Sequence, residues 1–376
     1  MNLLDLVRTR KLLVCVGAGG VGKTTTAASL ALAGALAGRR VLVLTIDPAR
    51  RLANSLGLRE FGNTEVRIDL GPEVGGQLWA MMLDPPSTMD DLIQRVAKDA
   101  ATRDAIYANK IYRNIAGSFS GSQEYMATER LYDVYASDRY DLIVLDTPPV
   151  KNALDFLESP GRMTRFLDGQ VIRWFLTPYE EEKVFGKRLL MGTSAVVYRL
   201  LGHIFGREFL DELSAFFTLF RDLYEGFRER HEAVGGLFSA DSTTFVVVSA
   251  PTDPSVEVAR FFLHELRARS CRIGAVIVNQ VHRASPTPPD VDALLGPAAR
   301  AADPVFAARL IARIGAAHRR LREVAQMDQQ RVLELKRASG GVVPLREVPR
   351  MASEVHDLQS LATLHGALFD NVDPRL

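Results

Sequence analysis

The feature that most constrains this chain is a glycine-rich segment between a short apolar run and an Ala/Leu-rich run. It matches the pattern G-x-x-x-x-G-K-[ST], in which glycines let successive backbone N–H groups turn toward one point. A helix that begins there adds a partial positive charge at the same place. The pattern therefore predicts a phosphate-binding loop, with an ordinary tight strand-to-helix turn as the structural alternative. Its residues are Gly17, Ala18, Gly19, Gly20, Val21, Gly22, Lys23, Thr24 and Thr25.

Two side chains of this loop have predicted roles of their own. We expect the ammonium group of Lys23 to reach the β- and γ-phosphates of a nucleotide, which makes it a candidate catalytic residue as well as a binding residue. The hydroxyl group of Thr24 is expected to ligate Mg²⁺, the usual companion of bound nucleotide phosphates. The loop thus predicts a nucleotide together with its magnesium ion.

Short apolar runs rich in β-branched residues alternate with helical patterns along the chain. This alternation is typical of an α/β fold with a doubly wound, mostly parallel sheet and helices on both faces. Because ligands bind at the carboxyl ends of parallel strands, the loops after these strands should gather at one edge of the sheet. The predicted strands are residues 11–16, 41–46, 78–83, 142–145, 244–249 and 273–278, with a short last strand at 342–343.

Two stretches are helical without this alternation, and we interpret them as insertions that form a helical subdomain. They cover residues 86–137 and 161–239. The nucleotide-binding core then comprises residues 1–85, 138–160 and 240–376, within a single domain of residues 1–376.

Composition limits the classes of partner and compartment. The 376 residues have a net charge of +1, so no global field attracts nucleic acid, and no nucleic-acid partner is expected. The chain has no run of about 18 uncharged apolar residues, and its first residues do not resemble a signal peptide. We expect a cytoplasmic protein, with peripheral association with a membrane left open.

Two aspartates follow predicted strands and are candidates for work on the phosphates. Asp146 ends an apolar strand, and we expect it to hold Mg²⁺ through water and to sense the γ-phosphate. Asp47 follows the strand after the first helix, and it is a candidate to position or deprotonate the attacking water and to contact Mg²⁺ through water. The alternative for Asp47 is that it only starts a turn before Pro48.

Three segments together resemble the arsenical-pump ATPase family, which also contains a eukaryotic ATPase that targets tail-anchored membrane proteins. They are GAGGVGKTTT, LTIDPARRLANSL and YDLIVLDTPPVKNALDFL. The resemblance implies ATP hydrolysis in a dimer. It matches Asp47 to the residue that activates water and Asp146 to the acid of the second switch loop.

The same resemblance implies where the base lies. Asn279 matches an Asn that reads adenine, and its amide offers the donor and the acceptor that a purine edge needs. A structural role at a strand end is the alternative. Thr252 and the segment Pro344, Leu345 and Arg346 fall where the family closes over the base. No Asn-Lys-x-Asp signature stands at the expected strand end, so ATP is favoured over GTP.

Three departures from the family pattern matter. Ala18 stands where the family has a lysine that reaches the partner's phosphates, so hydrolysis is slower or another cation substitutes, with Arg50 and Arg51 as candidates. The zinc-binding C-x-x-C pair of the eukaryotic relative is missing. Cys15 and Cys271, the only cysteines, cannot supply an arsenite site or an iron–sulfur cluster. We therefore expect ATP and Mg²⁺ as cofactors, with no zinc and no iron–sulfur cluster.

Apolar residues recur at intervals of three and four between positions 205 and 227, which is typical of one apolar helix face. Three interpretations of this face are open. It packs against other helices of the insertion, or it lies on a membrane surface. The third, which the resemblance implies, is a groove formed by two subunits that shelters an apolar client helix. Its residues are Phe205, Phe209, Leu213, Phe216, Phe217, Phe220, Leu223, Tyr224 and Phe227.

Taken together, the residues and the resemblance predict a Mg-dependent ATPase that cycles between nucleotide-driven conformations. We expect a homodimer or a heterodimer with a related ATPase. The favoured purpose is targeting or chaperoning of an apolar client helix or a membrane protein. The alternatives are a positioning or regulatory ATPase of the partitioning class and the soluble motor subunit of an anion pump.

Overall fold

A largely parallel β-sheet forms the centre of the protein. The computed structural model describes residues 2–46, 51–57, 64–83, 97–115, 122–148, 236–290 and 303–369, with isolated positions between them. The strands are β1 (Leu12–Gly17), β2 (Arg40–Thr45), β3 (Val66–Ile68), β4 (Gln77–Met82), β5 (Leu142–Asp146), β6 (Thr243–Ser249), β7 (Ile273–Val281) and β8 (Leu345–Pro349). Their order is β3-β4-β2-β5-β1-β6-β7-β8, and every neighbouring pair is parallel except β3 and β4. The predicted fold class is confirmed.

Helices cover both faces of this sheet. They are α1 (Leu3–Thr9), α2 (Lys23–Leu36), α3 (Arg51–Ser55), α4 (Ala100–Ala108), α5 (Lys110–Ile115), α6 (Ser122–Ala136), α7 (Asp253–Ala268), α8 (Pro304–Ala338) and α9 (Leu358–Phe369). Buried side chains of α1, α2, α3 and α9 form the core on one face, and those of α6, α7 and α8 form it on the other. Because strand side chains alternate, Cys15 of β1 joins the first core, and Val14 and Val16 join the second.

Helix α2 packs closely against the sheet, and most of its buried residues are small. A Cβ atom added at Gly34 would lie 2.7 Å from Cδ2 of Leu142 and 3.0 Å from Cγ2 of Val41. This contact fixes the helix against β2 and β5. The amino terminus of α2 is thereby held at the carboxyl edge of the sheet, where the predicted phosphate loop enters it.

The structure corrects the predicted end of the sheet. Residues 342–343 are not a strand, and Val342 is 91% exposed. Gly340 and Gly341 precede it with φ angles of 77° and 71°, so the chain is still turning there. The last strand is β8, and its pairing with β7 begins where the N–H group of Val276 donates to the carbonyl of Pro344 over 2.9 Å.

The first predicted insertion contains α4, α5 and α6, whereas most of the second lies outside the described residues. The boundaries of both insertions therefore stay predictions. Among the residues that the structure describes, no helix is both long enough and apolar enough to cross a membrane.

Two adjacent phenylalanines of α7 test the two-sided core. Phe262 is 0% exposed and Phe261 is 41% exposed. We expect Phe262→Ala to lower the free energy of unfolding by about 3–5 kcal/mol, because it leaves a cavity under the sheet. Phe261→Ala should cost no more than about 1 kcal/mol. Urea unfolding followed by circular dichroism compares the two, and equal losses would contradict the assigned orientation of α7.

Candidate nucleotide-binding site

The predicted phosphate loop runs from the end of β1 to the start of α2 and is shaped by glycines. A Cβ atom at Gly17 would lie 2.0 Å from the carbonyl oxygen of Val248 in β6, so only glycine fits there. Gly22 has a φ of 89° and directly precedes Lys23, the first residue of α2. These two glycines allow the sharp turn that brings the loop back over the helix amino terminus.

Lys23 lies buried at the start of α2, and its side chain turns back on its own loop. Its Nζ atom donates a hydrogen bond to the carbonyl oxygen of Ala18 over 2.8 Å. The ammonium group is therefore held at the loop and can serve a phosphate that the loop binds. Ala18 itself adds no cation at the position where the resemblance predicts a lysine.

Two hydroxyl groups converge on the predicted acid of the site. Asp146, at the end of β5, is 0% exposed, and its Oδ2 atom accepts hydrogen bonds from Oγ1 of Thr24 at 2.7 Å and Oγ1 of Thr45 at 2.9 Å. The structure thus brings together Thr24 and Asp146, two of the predicted metal residues. Thr45 was not predicted for this site, although it stands two positions before Asp47 in the same strand-to-loop segment.

These oxygens suit a magnesium ion chemically. Mg²⁺ prefers hard oxygen ligands and takes few of them from the protein, the rest being water and phosphate. A hydroxyl and a carboxylate 2.7 Å apart beside a phosphate loop supply such a pair. Thr24 and Asp146 are therefore the described residues that could hold the ion.

Asp47, the candidate for positioning water, lies outside the described residues, as do Pro48 and Arg50. The chain is described up to Ile46, whose N–H group donates to the carbonyl of Asp146 over 3.2 Å. Ile46, the last described residue before Asp47, therefore lies beside Asp146. The role of Asp47 stays a prediction.

Cys15, in the strand that leads into the loop, has an unreactive thiol group. Cys15 is buried in β1, and this burial raises the pKa of its thiol; the charge of Asp146 raises it further, while Lys23 opposes the shift. Burial also raises the pKa of Cys271. A raised pKa keeps both groups as thiols, which are poor nucleophiles and poor ligands.

Within the part of the chain that the structure describes, no three His, Cys, Asp or Glu side chains form a metal cluster.

Asn279 lies against the phosphate loop. It is buried at the end of β7, and its Nδ2 atom donates to the carbonyl oxygen of Val21 over 3.0 Å. Its Oδ1 atom accepts from the N–H group of Gln280 over 2.9 Å. Each end of the amide can form one further hydrogen bond. The structure therefore gives Asn279 a contact with the loop, and its reading of adenine stays a prediction.

The other residues predicted near the base lie outside the loop. One precedes α7, and the others lie at the start of β8. Thr252 is exposed in front of α7, and its hydroxyl donates to Ser255 over 2.9 Å. Arg346 lies in the same row of the sheet as Ile277, Val248 and Gly17.

Pro344 and Leu345 lie below this row, toward the amino-terminal edge of the sheet. The guanidinium of Arg346 donates to the carbonyl oxygen of Ala367 over 3.2 Å. The structure thus places Pro344 and Leu345 at the start of a strand that begins level with the end of β1, where the loop leaves the sheet, with β6 and β7 between the two strands. Their predicted role at the base is untested.

Comparison with known proteins agrees with the geometry. The family described as anion-transporting ATPases matches residues 10–291. The chain is 31% identical over 271 residues to "ATPase get3" of Aspergillus terreus, covering 70% of this chain and 71% of the relative. It is 28% identical over 285 residues to "ATPase get3" of Pyrenophora tritici-repentis, with 74% and 76% covered. It is also 28% identical over 284 residues to "ATPase GET3" of Malassezia globosa, with 74% and 75% covered.

Thr24 and Thr45 donate to the same carboxylate oxygen, so they form a matched pair for testing the metal site. We expect Thr24→Val to raise the Mg²⁺ concentration that half-saturates ATP binding about tenfold or more, because an oxygen ligand is lost along with a charged hydrogen bond. Thr45→Val removes a hydrogen bond to Asp146 but no proposed ligand of the ion, and it should raise this concentration no more than a few-fold. Titration of Mg²⁺ against a fluorescent ATP analogue measures both, and equal shifts would show that Thr24 merely orients Asp146.

Proposed function

Because this chain belongs to the anion-transporting ATPase family, it is an ATPase, and we propose that it is a magnesium-dependent targeting or chaperone ATPase. In this proposal, nucleotide-driven conformations control the handling of an apolar client helix or a membrane protein. The observation that carries the proposal is the junction of Thr24, Thr45 and Asp146 at the end of the phosphate loop. That junction links the loop to the two segments that leave β2 and β5.

Each residue of the site has a defined task in ATP hydrolysis. The loop amides and Lys23 bind the β- and γ-phosphates, and Thr24 and Asp146 would hold the magnesium ion, which would neutralise charge on the phosphates. Asp47 positions the attacking water, because phosphoryl transfer needs orientation and electrostatic stabilisation more than covalent chemistry. Asn279 and Thr252, with the segment 344–346, stand as the proposed contacts of the base.

The position of Asp146 in the chain suggests how the nucleotide acts on the insertions. Helix α6 of the first insertion leads directly into β5, and its residues Ala127 and Leu131 are buried in the core beside that strand. The second predicted insertion follows β5 after a short connection. In this proposal, a displacement of Asp146 would act on the first insertion through α6 and on the second through the chain that follows β5.

The proposed partner is a second ATPase subunit, identical or related. Ala18 provides no lysine for a partner's phosphates, so the proposal includes either slow hydrolysis or a cation from another residue. The curated relatives named above do not favour the partitioning-class and pump-motor alternatives, since each is named as an ATPase get3. A cytoplasmic location, with or without peripheral membrane association, belongs to the same proposal.

The side chains of the candidate client surface differ in their exposure to solvent. Phe209 is 44% exposed, whereas the neighbouring Leu210 and Phe216 are buried, Phe216 to 7% exposure. Part of the predicted apolar face thus packs within the subdomain, and an acidic residue at Phe216 would disturb that packing. Phe220 lies outside the described residues. Phe209 is therefore the described position at which client contact can be tested without breaking the core.

Substitution of Asp47 tests the hydrolytic mechanism. We expect Asp47→Asn to keep ATP affinity and to lower turnover at least about a hundredfold, since an amide cannot act as a base for the attacking water. Lys23→Ala should instead weaken ATP binding itself, because its charge contacts the phosphates directly. Phosphate release at saturating Mg-ATP, together with calorimetric binding, separates the two effects. Unchanged turnover of Asp47→Asn would remove Asp47 from the mechanism.

Substitution of Phe209 tests the client proposal. We expect Phe209→Asp to reduce photocrosslinking to a transmembrane-helix peptide several-fold, because a charge opposes burial of an apolar segment. The matched control is Phe306→Asp, which alters a 58% exposed phenylalanine of α8. Thermal midpoints of both variants confirm that they fold. Equal crosslinking by the wild-type protein and the two variants would contradict a client surface at Phe209.

A further inference from the structure

The end of β7 has an irregular backbone beside the phosphate loop. The register between β7 and β8 shifts between Val278 and Val281, and Gln280 has a φ of 62°, which non-glycine residues rarely adopt. Strain of this kind persists only where the surroundings impose it, and it clusters at functional sites. The bulge turns two consecutive polar side chains, Asn279 and Gln280, toward the same loop.

Both side chains donate to carbonyl groups of the phosphate loop. Nδ2 of Asn279 donates to the carbonyl of Val21 at 3.0 Å, and Nε2 of Gln280 donates to the carbonyl of Gly20 at 3.2 Å. In a trans peptide the C=O of one residue and the N–H of the next point in opposite directions. Holding these two carbonyls toward β7 therefore aims the N–H groups of Val21 and Gly22 away from β7.

Two features fix the geometry of the contact between Asn279 and the phosphate loop. The N–H group of Gln280 donates to Oδ1 of Asn279 over 2.9 Å, which fixes the amide so that Nδ2 faces the loop. A Cβ atom at Gly22 would lie 2.2 Å from Nδ2 of Asn279, so the absence of a side chain there lets the amide approach. The loop and the bulge of β7 are thus fitted to each other.

We infer that Asn279 and Gln280 are positioning residues that hold the amides of the phosphate loop in their phosphate-binding orientation. The inference rests on the proposed binding of ATP at this loop, and it deepens that proposal by assigning the two side chains to the triphosphate. It has a consequence for specificity: loss of either side chain should weaken every ligand with a triphosphate, whatever its base. A residue that only reads adenine would instead change the preference between bases and leave the affinity for tripolyphosphate unchanged.

The experiment measures dissociation constants by calorimetry for Mg²⁺ complexes of ATP, GTP and inorganic tripolyphosphate. We expect Gln280→Met to weaken all three ligands by a similar factor of about fivefold, the loss of one neutral hydrogen bond, with the ratio of ATP to GTP affinity unchanged. Asn279→Leu should weaken tripolyphosphate by the same factor, and because Asn279 is also a proposed contact of the base, it should weaken ATP further. Gln280→Gly should weaken the three ligands as much as Gln280→Met does, while its thermal midpoint stays the same or rises, because glycine adopts the left-handed backbone without strain. Weaker binding without a lower thermal midpoint distinguishes positioning of the loop from general support of the fold.

The matched control is Gln329→Met, the same substitution at an exposed glutamine of α8 that bonds to Glu347. It should leave the three dissociation constants unchanged. The inference is overturned if the Gln280 variants bind tripolyphosphate as tightly as the wild-type protein does. It is overturned for Asn279 if Asn279→Leu alters only the ratio of ATP to GTP affinity. A wild-type protein that binds neither ATP nor tripolyphosphate would overturn the proposed function and the inference together.

Discussion

The paired hydrogen bonds from Thr24 and Thr45 to Asp146 tie together three elements at the carboxyl edge of the sheet. A carboxylate with no exposed surface is costly to bury unless polar groups meet it, and the fold supplies two hydroxyls. The pairing of β5 with its two neighbours brings these groups together. Asp146 pairs in register with Cys15 of β1 and with Thr45 of β2, so β5 must lie between those strands.

The same edge depends on close backbone approach elsewhere. Gly34 brings α2 against β2 and β5, and Gly17 brings the loop against β6. Each contact removes the space that a side chain would occupy, so the helix amino terminus and the loop are held where the strands end. The helix dipole, Lys23 and the loop amides then act on one point. The proposed binding site for a triphosphate therefore depends on the packing of the sheet rather than on any single residue.

Much of the fold could be predicted because its information is local. Each central strand is a continuous apolar run, and the predicted starts lie close to the observed ones. The last strand was misplaced, because Val342 and Val343 have the composition of a strand while the glycines before them keep the chain turning. Short β3 was also missed, since its length carries little pattern. In both cases pairing with a neighbouring strand decides the structure, and the composition of a short segment does not show whether it will pair.

The features of the candidate site also fall into those that the sequence could predict and those that only the tertiary structure decided. The sequence alone predicted the loop, its Lys-Thr pair and the acids after two strands, because phosphate binding demands those residue types at a fixed spacing from a strand and a helix. Only the tertiary structure decided that Thr45 shares the oxygen of Asp146 and that Gln280 reaches Gly20 from a strained bulge. It also decided that Asn279 contacts the loop. These contacts join residues up to 260 positions apart, and their geometry depends on strand register and backbone conformation, which no local pattern encodes.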